Sequence, residues 1–69
     1  MEMIPVVSSN LSSVGYENGV LYVSFRHGGI YSYEGVPYEV YQNLLKAPSK
    51  GKYFAAYIKN SYPYRKLNQ

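Results

Sequence analysis

The chain has 69 residues and 7.9 kDa, 46% of them hydrophobic and 16% charged, which leaves room for one small domain. Seven Lys and Arg against four Glu give a net charge of +3 and a pI near 9.2, a mild tilt toward anionic partners. The sequence contains no Cys and no Asp, which excludes disulfide frameworks, thiolate metal sites and Asp-based chemistry.

In chain order, three strands come first. Asn18-Gly19 lies between two apolar stretches and has the composition of a type I′ turn, since both residues tolerate positive φ. If Glu17 pairs with Val20, then Tyr16 lies opposite Leu21, Val14 opposite Val23 and Ser12 opposite Phe25. For the second turn, a three-residue loop with Gly29 as a left-handed bulge sets Phe25 against Tyr31 and Val23 against Tyr33. The core face is then Val14, Tyr16, Leu21, Val23, Phe25, Tyr31 and Tyr33; a slip of one residue would put Ser32 and Glu34 there instead.

Gly35-Val36-Pro37 ends the sheet, and Pro37 suits the first position of a helix that runs to about residue 46. Its apolar stripe is Val40, Tyr41, Leu44 and Leu45. After Pro48 a second helix is expected over about 50–59, with Tyr53, Phe54, Tyr57 and Ile58 at helical spacing. The tail from Ser61 to Leu67 is too aromatic for a solvated end and is expected to pack back, extended, along the domain. The fold class is therefore α+β, a three-stranded antiparallel meander followed by two helices on one face (βββαα), in one domain spanning 1–69 with its core at about 7–67.

Leu21-x-Val23-x-Phe25-x-x-Gly28-x-x-Tyr31-x-Tyr33, then Val36-Pro37, Ser49-x-Gly51-x-Tyr53-Phe54, Ile58 and Tyr62 form an ordered series that resembles the KTSC domain over roughly 7–67. That family is named for the C-terminus of some lysyl-tRNA synthetases and includes small free-standing bacterial and phage proteins, which this chain resembles. The resemblance implies a small accessory module, with RNA as the suggested partner.

The residues themselves offer little for catalysis. The one His, His27, falls at a hairpin tip, none of the Ser residues sits in a nucleophile elbow, and the four Glu show no acid/base spacing. No convergent metal ligands are present, and no cofactor is expected. No apolar run reaches the roughly 18 residues a bilayer demands, so the reading is a cytoplasmic protein without a membrane partner.

Binding residues are easier to nominate. Ser49 is placed to cap the second helix, with Lys50 and Lys52 in the first turn and Gly51 between them. Lysines oppose the helix dipole there, unless a phosphate docks on the exposed N–H groups. The plain alternative is a capped helix whose lysines point into water. On the sheet face away from the helices, Tyr22 can stack on an unpaired base while Arg26 meets phosphate. Tyr22 also lies opposite Gly15, where an aromatic ring can simply cover a strand glycine. Arg65 and Lys66 add charge to the tail. The expected function is a non-catalytic binding module with RNA as partner. The competing reading is a protein-interaction or self-association module built on Tyr22, Tyr38, Tyr62 and Tyr64.

Overall fold

Asn18 and Gly19 both take positive φ, 53° and 80°, and set the first hairpin. A computed structural model describes residues 2–67. In it β2 (Leu11–Glu17) and β3 (Val20–Phe25) pair with Glu17 opposite Val20, Tyr16 opposite Leu21 and Val14 opposite Val23, the register expected from the turn. Farther from the turn the register shifts: a bulge between Leu11 and Ser13 sets Leu11, not Ser12, opposite Phe25. The bulge brings a fully buried Leu11 into the core, while the Ser12 hydroxyl donates to that of Ser24 at 3.2 Å.

Strand β4 (Gly29–Glu34) follows a three-residue loop, and Gly29 has the left-handed φ of 81°. Its register differs from expectation by two residues, because Gly29 pairs with Phe25 rather than extending the loop. Val23 thus faces Tyr31, and Leu21 faces Tyr33. An even shift preserves side-chain parity, so the expected residues still share the core face.

Four strands precede the helices, not three. Strand β1 (Ile4–Pro5) pairs with β2, and after the helices β5 (Tyr64–Lys66) pairs with β4, giving an antiparallel sheet in the order β1-β2-β3-β4-β5. A two-residue strand holding a proline shows no alternation to read, and proline is confined to such edges. The tail packs back extended, as its aromatic content implied.

Helix α1 (Tyr38–Lys46) has Pro37 as its N-cap, one position before the expected one. Helix α2 (Lys50–Tyr57) ends two residues early, where the amides of Ile58 and Lys59 both bond the Phe54 carbonyl. Leu11, Val14, Leu21, Val23 and Tyr33 from the sheet meet Tyr41, Leu44, Phe54 and Ile58 in one buried cluster, so both helices cover one face. Of the expected α2 stripe, Tyr57 instead stands in solvent, tilted against Tyr53 at 4.7 Å. No helix among the described residues is long and apolar enough to cross a membrane.

Candidate nucleic-acid interface

Strand alternation puts Phe25 of β3, Tyr31 and Tyr33 of β4 and Tyr64 of β5 on the helix-covered face, and α2 adds Phe54. Their rings close a circuit: Phe25 to Tyr31 at 5.5 Å, Tyr31 to Tyr64 at 6.0 Å, Tyr64 to Tyr33 at 5.8 Å, Tyr33 to Phe54 at 5.3 Å and Phe54 back to Phe25 at 5.4 Å. Three of the contacts are edge-on, the favourable arrangement for ring quadrupoles. A cavity of about 470 Å³ opens beside these rings. His27 and Gly28 of the loop, Asn10 and Leu11, and Gly51, Ala55, Lys59 and Asn60 on the α2 side complete its lining. Among the described residues no acidic side chain lines it.

Tyr33 is the most enclosed of the cavity's rings, at 4% exposure. Burial, and then its neighbours Tyr31 and Tyr64, push its phenol up to about 12, so at neutral pH it is a protonated donor. Its hydroxyl bonds no other described residue, yet no fully buried polar side-chain atom among the described residues lacks a partner. The hydroxyl is therefore not fully buried, and Tyr33 is one of the residues that line the cavity. Tyr16, in the same cross-strand row two strands away, donates to the Val36 carbonyl at 2.6 Å and stacks on Tyr41 at 5.2 Å.

A second cleft lies at the start of α2, lined by Val7, Ser8, Asn10 and the run from Pro48 to Lys52. Ser49 caps the helix, its hydroxyl accepting from the Lys52 amide at 3.4 Å. Lys50 does not reach freely into water: its Nζ donates to the Ala47 carbonyl at 3.0 Å, satisfying a group at the end of α1. Lys52 is exposed. Arg26, expected to act beside Tyr22, has its Nε donating to the Ser8 carbonyl at 2.8 Å, and Ser8 lines this cleft. The two clefts share Asn10, Gly51 and Ala55.

The uncovered face carries a cross-strand row of Gly15, Tyr22, Ser32 and Arg65. Ser32 is only 6% exposed and Tyr22 half-buried, so Tyr22 here covers its neighbours as much as it offers a platform. Lys66 pairs with Tyr31 on the opposite face, its Cε 3.4 Å from where a Gly29 side chain would begin. The basic tail is thus divided between two faces. The structure groups Ser49, Lys50, Gly51 and Lys52 around one cleft and Tyr22 with Arg65 on the uncovered face, and it puts Lys66 beside Tyr31 on the ring-bearing face, outside the cavity lining. Among the described residues no cluster of His and Glu has the makings of a metal site.

Sequence reasoning took Phe25 and Phe54 for core, took Tyr31 and Tyr33 as structural with rim hydroxyls still able to bond a partner, and passed over Lys59. The available signal was tyrosine where a core strand would use Phe or Leu.

Comparison with known proteins adds four findings. The family model of the KTSC domain matches residues 7–62. The chain is 46% identical over 56 residues to an uncharacterised protein of Stutzerimonas stutzeri, covering 78% of this chain and 79% of that one. It is also 44% identical over 48 residues to a lysine–tRNA ligase of Nostoc, 70% of this chain but only 9% of the ligase. Among solved structures, a KTSC domain protein of Yersinia pestis superposes with a TM-score of 0.95 at 40% identity, covering 97% of each chain.

Proposed function

The chain belongs to the KTSC domain family, and from that premise we propose that it is a non-catalytic module that binds single-stranded RNA. One observation carries the reading: an aromatic cavity and a cationic cleft adjoin, sharing the wall of Asn10, Gly51 and Ala55. Stacking rings beside positive charge is the combination by which unpaired RNA is held, the rings taking bases and the cations phosphates. The resemblance of this domain to a segment of lysine–tRNA ligases supports the same partner. A cytoplasmic location goes with that partner. The site shifts from the one first expected: Lys52, Lys59 and Lys66 become the phosphate contacts, Arg26 and Lys50 support the cleft, and Tyr22 with Arg65 lies on the far face.

Titration of fluorescent single-stranded and hairpin RNAs between about 50 and about 200 mM salt tests this. Micromolar affinity that weakens with salt is expected, preferring the unpaired strand. Absence of binding at the lowest salt overturns it, and a lysate partner that persists after nuclease treatment replaces RNA by a protein.

A further inference from the structure

Gly51 sits in the first turn of α2 without a left-handed φ, and a Cβ there would meet Ser8 Oγ at 3.6 Å and Asn10 Nδ2 at 3.8 Å, both ordinary contacts. Neither strain nor crowding requires glycine, although glycine weakens a helix relative to alanine. One turn on, exposed Ala55 is also small, so α2 presents a low wall to the ring cavity between Gly51 and Lys59. The buried Tyr33, whose hydroxyl bonds no other described residue, lines the same cavity.

The guest must be flat and aromatic to exploit five ring walls, and it must bring an acceptor or donor for a phenol. A cationic guest, the usual occupant of an aromatic cage, finds no acid in the lining and meets Lys59 and His27 instead. An anionic aromatic molecule fits both facts. At about 470 Å³ the space is at the modest end of ligand pockets and suits one nucleoside.

Resting on the RNA reading, we propose that the ring cavity receives one unpaired nucleobase, whose edge bonds the Tyr33 hydroxyl and whose sugar-phosphate crosses the low wall at Gly51 and Ala55.

The test compares adenosine monophosphate with ribose 5-phosphate by amide-shift mapping on the full chain, alongside single strands carrying 2-aminopurine. The nucleotide is expected to shift Gly51, Phe54 and Ala55, and the sugar phosphate alone to leave them in place. Ala55→Leu, at an exposed helical position, fills the mouth and should weaken nucleotide and oligonucleotide about tenfold or more, as loss of one stacked base would. Tyr33→Phe should weaken both by a smaller factor. Identical shifts from the two probes, or full affinity in Ala55→Leu, overturn the pocket. RNA bound equally by wild type and Ala55→Leu leaves the RNA reading standing without it. A nucleotide seated in the cavity with no oligonucleotide bound keeps the base pocket and removes the RNA reading.

Discussion

The Tyr16 hydroxyl donates to the Val36 carbonyl at 2.6 Å and so fastens β2 to the segment that enters α1, whose Val36 amide is itself bonded to the Gly19 carbonyl at 2.9 Å. Tyr33, on the same face of the sheet, has no such partner among the described residues. The two phenols therefore separate structural from vacant hydroxyls. Tyr16→Phe should destabilise by about 1 kcal/mol, the net worth of one such bond. Tyr33→Phe should cost less than about 0.5 kcal/mol, because no hydrogen bond is broken. Urea denaturation of both variants checks the order, and a costlier Tyr33 substitution would contradict the assignment.

Tyr33 also predicts an alkaline limit. Its phenol is pushed up to about 12 in the fold against 10.0 when unfolded, mainly by burial. Between those values the native state holds the proton more tightly than the unfolded chain, so stability is complete below about pH 10 and falls as pH rises toward about 12. Tyr41, raised by burial and then by Tyr38, adds loss of the same sign. Urea midpoints from about pH 9 to about pH 12 should decline more steeply for wild type than for Tyr33→Phe. Parallel declines would remove the claim.

Much of the fold was legible because local chemistry dictated it. Asn18-Gly19 allows only a tight primed turn, and the alternation of Leu21, Val23, Tyr31 and Tyr33 survives the two-residue register shift. What escaped depended on distance. The pairing of Pro5 with Ser13 requires no pattern within β1 itself, and the Leu11 bulge answers the packing of the core rather than any turn signal. The site was half legible for the same reason. Ser49 announces a cap by its position, but the bond of Arg26 to the Ser8 carbonyl, and Tyr64 closing the ring circuit from the far end of the chain, are tertiary facts.

Gly51→Ala should stabilise the domain by about 0.4–1 kcal/mol, since the added methyl meets only ordinary contacts and the unfolded chain loses freedom. Thermal and urea unfolding measure it. Destabilisation would show that Ser8 and Asn10 press closer than their distances imply.

Ser49 separates stability from binding. Its cap bond is long, at 3.4 Å, so Ser49→Ala should cost about 0.5 kcal/mol, the lower end for an N-cap. Ser49→Asp restores the cap and complements the dipole, so it should recover that stability, yet its charge should weaken RNA. Equal RNA affinity in wild type and Ser49→Asp would place phosphate elsewhere than this cleft.

Lys50 and Lys52, neighbours but one in the same turn, should behave differently. Lys50 is tied to the Ala47 carbonyl at 3.0 Å, whereas exposed Lys52 offers its amide to Ser49 and keeps its ammonium for solvent. Lys52→Ala should leave stability within about 0.5 kcal/mol and reduce the slope of log affinity against log salt by about 0.7, the release expected for one single-strand phosphate contact. Lys50→Ala should instead lower stability by up to about 1 kcal/mol by freeing the end of α1, with a smaller change in slope because its charge is already directed at a carbonyl. Lys59→Ala should match Lys52→Ala, since Lys59 belongs to the cavity lining that adjoins the same cleft. Salt series on the three variants measure both quantities at once. If all three reduce the slope equally, phosphate senses only net charge, and the placement of the backbone beside α2 is wrong.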